Sequence, residues 1–156
     1  MCLVEYSLRP ATEADISVIK ALIKEARINP TRLDWRRFTV AVSGPAVSAD
    51  EGGELIGCVQ LKPVSGDLME LASLVVHPSY RHQGIARALI EHVLSGAPRP
   101  IYLTCRSGLE DFYEKFGYQN LDVDDMPAYY RRMKLLVDVF VKLTHRNETL
   151  LVMKLG

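Results

Sequence analysis

Cysteine is scarce in this chain: Cys2, Cys58 and Cys105 are the only three among 156 residues, odd in number and far apart. Such a set does not build a disulfide framework and fits reduced thiols in a cytosol-like compartment. No CxxC or HExxH spacing occurs, so a structural or protease-type metal site has no support and no metal is expected. A charge excess is lacking as well. Lysine plus arginine and aspartate plus glutamate both count 19, giving a formal net charge of zero. A dedicated nucleic-acid binder would carry a basic surplus, so no nucleic-acid partner is expected. Long apolar runs are also missing, and none free of charges approaches the roughly 20 residues of a membrane span. The opening "MCLVEYSLRPATEAD" has no basic start followed by a sustained apolar stretch, so no secretory signal is expected. There are no internal repeats. What remains is a chain with 48% apolar residues, expected to be soluble and cytoplasmic, of a size that suits one domain over residues 1–156.

The periodicity gives an order of elements. "VEYSLRP" alternates and ends at Pro10, a short strand. Thr12 followed by Asp15 has the form of a capping box, and Ile16, Ile19, Ile23 and Ala26 recur at helical spacing. "RINPTRLDW" breaks at Asn29-Pro30 and is expected to restart as a second short helix. "RFTVAVS" reads as a strand, followed by the turn-rich "GPAVSADEGG". "ELIGCVQLKPV" puts Leu55, Val59 and Leu61 on one face and Ile56, Cys58, Gln60 and Lys62 on the other. After the turn Ser65-Gly66-Asp67, "LMELASLVV" is apolar on both faces, as a central strand is.

Ile85, Ala88, Leu89 and Val93 make a helical stripe, "PIYLTC" a buried strand, and "GLEDFYEKFG" a helix closed at Gly117. Pro127 to Leu143 reads as a further helix with Tyr130, Met133, Val137 and Phe140 on its core face, and "ETLLVMKL" as a last strand. Hairpins followed by a strand–helix–strand crossover imply an α+β domain with a mixed, mostly antiparallel sheet flanked by helices.

The stretch "YRHQGIARAL" raises a chemical question, because Arg81, Gly84 and Ala86 stand where a strand hands over to a helix. The first N–H groups of a helix have no partner within it, and the helix dipole makes that end partly positive. A turn that delivers them can hold a phosphate. Gly84 keeps a side chain away from the anion, and Arg81 and Arg87 can add charge-assisted contacts. The alternative is a tight turn with two solvated arginines.

The six residues Arg81-His82-Gln83-Gly84-Ile85-Ala86 resemble the Q/R-x-x-G-x-G/A phosphate loop of the GNAT superfamily of acyl-CoA-dependent N-acyltransferases. "MELASLVVHPSYR" before it looks like that family's central strand, and "FYEKFGY" (112–118) like its second landmark, with "IYLTC" between them. The resemblance implies a GNAT-like fold in which the 127–143 helix is an insertion before the last strand. It implies acetyl-CoA as cosubstrate. The backbone of Leu74, Val75 and Val76 would pair with the pantetheine arm, between two strands that splay apart. The pyrophosphate would lie on Arg81, His82, Gln83, Gly84, Ile85, Ala86 and Arg87. His82 would contribute its amide and not its ring.

Two residues then draw catalytic roles. Glu70 is the only acidic residue in segment 68–76, and its place four residues before Leu74 is similar to that of the family's glutamate base, acting directly or through water. Burial would raise its pKa toward a useful value. The alternative is an exposed strand-end glutamate or a partner for Lys62. Tyr113 falls where the family often places the tyrosine that protonates the departing CoA sulfur; the alternative is an aromatic packed beside Phe112 and Phe116. Cys105 could carry an acyl group, but nothing nearby in sequence activates it, and a buried inert thiol is the plainer reading. His77, Asp34 and Trp35 could line an acceptor pocket or be ordinary turn and helix residues. Arg106 stands where many members of that family have asparagine, so one usual cofactor contact is not expected in its usual form, and arginine could serve a phosphate instead. The inserted helix could be core packing, a lid over the acceptor pocket or a homodimer contact. The implied activity is acetyl transfer from acetyl-CoA to an amine, small molecule or protein, by direct attack in a ternary complex. The alternatives are an acyl-CoA-binding regulatory domain with little catalysis and an interaction module.

Overall fold

The structure is a computed structural model, and it describes residues 3–45, 52–144, 147 and 149–156. Cys2 and most of the turn-rich segment after Ser43 lie outside the described residues. The fold is α+β. Its seven strands are β1 (Tyr6–Pro10), β2 (Phe38–Ser43), β3 (Leu55–Ser65), β4 (Leu68–Val76), β5 (Ile101–Arg106), β6 (Gln119–Asn120) and β7 (Leu150–Leu155). The four α-helices are α1 (Ile16–Glu25), α2 (Ile85–Leu94), α3 (Glu110–Glu114) and α4 (Ala128–Thr144). The hydrogen-bonded strand order is β1-β2-β3-β4-β5-β7-β6. The defined registers are antiparallel except that of β4 with β5, which is parallel. The chain divides into two compact units, Met1–Lys62 with Leu71–Ala97, and Pro63–Glu70 with Pro98–Gly156.

In the first unit, Asp15 reaches back to accept from the Thr12 backbone N–H at 2.7 Å, which starts a 3-10 turn that runs into α1. Ile19, Leu22 and Ile23 of α1 are buried with Phe38, Val40 and Cys58. Each large aliphatic side chain so buried contributes about 1.5–3 kcal/mol. The second helix expected near Pro30 does not form; a single 3-10 turn at Trp35–Arg37 takes its place. The reason is local. Asn29 Oδ1 accepts from Thr31 N, Asp34 Oδ1 accepts from Arg36 N, and Arg27 and Arg32 have φ of 56°. Short polar side chains that satisfy the backbone in this way compete with a helix.

β3 is buried on both faces from Leu55 to Gln60, as a central strand is. Gly57 is required there by close approach: a Cβ would come within 3.1 Å of the Val75 carbonyl oxygen and 3.4 Å of Ile85 Cγ2. This contact seats the first turn of α2 against the strand. Alternation in β4 is broken at Ser73, which has a φ of 57°, a bulge geometry. Cys58 Sγ donates to the Ser73 carbonyl, and Gln60 Nε2 donates to Ser73 Oγ at 2.8 Å, so β3 braces the bulge. Replacing Ser73 by valine puts a β-branched residue at positive φ and removes the acceptor of a buried amide. The expected loss is about 3 kcal/mol in urea unfolding. An unchanged midpoint would show that the bulge is not held this way.

In the second unit, β5 pairs with β7 over six positions and β7 pairs with the two-residue β6, a strand too short to leave a periodic signal. Val64, Tyr102, Met126, Tyr130 and Val152 form its core cluster. α4 is long, yet Tyr130 is its one buried residue. Met133 and Val137 are half-buried, and Phe140, expected in the core, is 56% exposed. Exposure along this face grows from buried Tyr130 to Phe140, so its apolar spacing translates into burial only in part.

Candidate active site

β4 ends at Val76, and a 3-10 turn at Pro78–Tyr80 follows, held by His77 Nδ1 accepting from Ser79 N. The chain then enters α2 through two residues with positive φ, His82 at 63° and Gly84 at 81°. Among the described residues no carbonyl or side chain accepts from the backbone N–H of Gly84, Ile85, Ala86 or Arg87. A Cβ built on Gly84 meets nothing within 4 Å, so the space beside Gly84 is open. Glycine is set here by its φ and not by packing.

The side chains around the turn divide by function. Gln83 Oε1 accepts from Val4 N at 2.8 Å and ties the turn to the segment before β1. Arg81 Nε donates to the Val76 carbonyl at 3.3 Å, and Arg87 pairs with Glu91 at 2.8 Å, while both arginines remain exposed. Tyr80 donates to Glu54 Oε2 at 2.9 Å. A hollow of about 170 Å³ lies beside this turn, lined by Leu22, Glu25, Ala26, Val75, Pro78 and Arg81.

The second unit holds the titratable groups. Among the described residues β4 and β5 are registered at two positions, Met69 with Ile101 and Glu70 with Tyr102. Glu70 is buried, not the exposed strand-end residue that was one of its readings. Its Oε2 accepts from the Tyr130 hydroxyl at 2.7 Å. Tyr130 in turn lies against Tyr102, ring centroids 5.3 Å apart, and against Tyr129 at 5.0 Å. Burial, and then the charge of Glu70, push the Tyr130 phenol far above its ordinary value, so it stays protonated and remains a donor. Sequence periodicity placed Tyr130 on a core face; nothing in the spacing marked its hydroxyl as a partner for a residue 60 positions away.

Tyr113 sits on α3, buried, with its ring 5.0 Å from Phe112 and 6.1 Å from Tyr118. Burial, and then the nearby Cys105, raise its phenol above the usual range. Burial also pushes the Cys105 thiol up to about 11, and its Sγ lies 3.8 Å from Met153 Sδ. A thiol so raised is protonated at neutral pH and a poor nucleophile, in line with the inert reading. Asp34 caps the 3-10 turn after α1 and Trp35 is its first residue, with Arg36 stacked over the Trp35 ring at 4.6 Å.

A family model described as an acetyltransferase (GNAT) domain matches residues 35–120, more than half of the chain. The chain belongs to the GNAT acetyltransferase family. A curated relative, an uncharacterized N-acetyltransferase of Chlorobaculum tepidum, is 34% identical over 84 residues. That stretch is 51% of this chain and 52% of the relative, so the match spans about half of each. Two solved structures share the fold. N-acetylglutamate synthase from Neisseria gonorrhoeae, complexed with coenzyme A and N-acetyl-glutamate, has a TM-score of 0.66 at 23% identity, over 97% of this chain and 35% of the synthase. Rv2747 from Mycobacterium tuberculosis, in complex with CoA, has a TM-score of 0.68 at 20% identity, over 96% of this chain and 98% of that one.

The GNAT family match contains the α2 turn, Glu70 and Tyr113 but stops before α4. Among the described residues no cluster of metal-ligating side chains occurs and no helix is long and apolar enough to cross a membrane.

Proposed function

We propose that residues 1–156 form one acetyl-CoA-dependent N-acetyltransferase domain that acylates an amine by direct attack. The observation that carries this is the set of four N–H groups at the start of α2 without an acceptor among the described residues, with open space beside Gly84 and two exposed arginines in the turn. That arrangement suits a diphosphate, since donors and helix dipole point the same way. Arg81, His82, Gln83, Gly84, Ile85, Ala86 and Arg87 would hold it, His82 and Gln83 through the backbone. The short parallel register of β4 with β5 supports a pantetheine arm on the backbone of Leu74, Val75 and Val76. Two buried free thiols, Cys58 and Cys105, fit a reducing cytoplasm.

Bound acetyl-CoA supplies a thioester whose C–S bond breaks as the amine nitrogen forms the new C–N bond. The residues of this chain move the protons. An amine with a pKa near about 10.4 is protonated at neutral pH and cannot attack, so Glu70, directly or through water, accepts its proton. Tyr113 gives its phenolic proton to the leaving sulfur. The nitrogen gives up its second proton to solvent as the C–S bond breaks, and solvent carries the proton of Glu70 back to Tyr113, so each turnover releases one proton.

A phenol raised by burial is a reluctant acid toward a thiolate, so its contribution lies at the low end for acid catalysis. Tyr113→Phe is expected to lower kcat by about 10- to 100-fold with acetyl-CoA affinity nearly unchanged. Unchanged turnover would remove Tyr113 from the reaction. The activity itself is tested by thiol release from acetyl-CoA across an amine panel that includes glutamate, the amine moiety seen on the gonococcal synthase. Release with at least one amine supports an enzyme; CoA binding by calorimetry without any release supports a regulatory acyl-CoA-binding domain instead.

A further inference from the structure

Glu70 is the base only if it is ionised and held still, and burial opposes the first condition. We propose that Tyr130 is the positioning residue that meets both, its hydroxyl donating at 2.7 Å to Glu70 Oε2. This rests on the assignment of Glu70 as base. Three features of the second unit carry it. Tyr130 is fully buried, so its hydroxyl has no competing solvent. Its ring packs against both Tyr102 and Tyr129, which holds the hydroxyl oxygen in place. Its raised phenol keeps the donor proton throughout the working pH range. α4 thereby serves the reaction, although it lies outside the stretch matched to the family.

Two titratable groups lie on the strands that flank Glu70 in the sheet order. Tyr102 of β5 faces it across the parallel register, and Lys62, itself buried, lies on β3, the neighbouring strand. Neither is changed in a Tyr130 variant, so a shift in that variant reports the lost hydroxyl.

The test compares pH profiles of kcat/KM for the wild type, Tyr130→Phe and Glu70→Gln. The base works deprotonated, so activity falls as pH drops through the Glu70 pKa. Loss of a hydrogen bond to the carboxylate raises that pKa. Tyr130→Phe is therefore expected to move the acid limb upward by about one pH unit, while Glu70→Gln abolishes the limb. An activity-independent reading comes from the infrared carboxyl band of Glu70, identified by its absence in Glu70→Gln. Its titration is expected to shift upward by the same amount in Tyr130→Phe without any substrate present. Should Tyr130→Phe fail to fold, Tyr130→Met provides a second donor-free variant for both measurements.

A limb lost in Glu70→Gln but unmoved in Tyr130→Phe overturns the role of Tyr130 alone. A wild-type limb and rate retained in Glu70→Gln overturn the base assignment and the role of Tyr130 with it.

Discussion

Gly84→Asp is expected to yield a folded protein that no longer holds acetyl-CoA. Gly84 has a φ of 81°, a region that aspartate tolerates better than most residues, and a Cβ there meets nothing within 4 Å. A carboxylate at the N-cap of α2 also suits the helix dipole and offsets the strain of a non-glycine residue at this φ, so the melting temperature is expected to change little. The same carboxylate occupies the amides meant for the diphosphate and repels its negative charge. Binding by calorimetry is expected to weaken by about 100-fold or more, roughly 2.8 kcal/mol at 1.4 kcal/mol per decade. The combination of intact stability and lost affinity separates an anion site from a plain turn. Wild-type affinity in this variant would mean that the ligand, if any, binds elsewhere.

Glu70→Gln carries the second large effect. The amide preserves the shape of the side chain and can still accept from Tyr130 through its carbonyl oxygen, but it takes no proton. A kcat lower by about 10²–10⁴-fold is expected, with acetyl-CoA affinity unchanged. The deficit is expected to narrow at high pH, where the acceptor amine is already neutral and needs no base. A deficit equal at all pH values would point to a structural defect instead of a missing base. Direct and water-mediated proton transfer both give the first pattern.

Much of the frame could be read from the chain because each signal is local. The capping box at Thr12 and Asp15, the hairpin at Gly66-Asp67 and the change from strand to helix around Gly84 each occupy a few adjacent residues. The turn before α2 was legible for the same reason: glycine and arginine at fixed offsets report on the backbone directly. The features that escaped are tertiary. Ser73 takes its left-handed conformation because Gln60 and Cys58 reach it from β3, and no pattern within β4 announces that. β6 exists because β7 offers an edge, and two residues carry no period. Tyr130 was visible as a buried aromatic, but its hydroxyl acquires meaning only when α4 brings it to Glu70. Phe140 has the helical spacing of a core residue yet is 56% exposed, since spacing records a face and not what lies on it.

Nitrogen-15 amide spectra recorded during titration with coenzyme A bear most directly on the α2 turn. Saturable shifts concentrated on the backbone N–H signals of Gly84, Ile85, Ala86 and Arg87 are the expected result. Saturation by coenzyme A with those four signals unmoved would contradict the account.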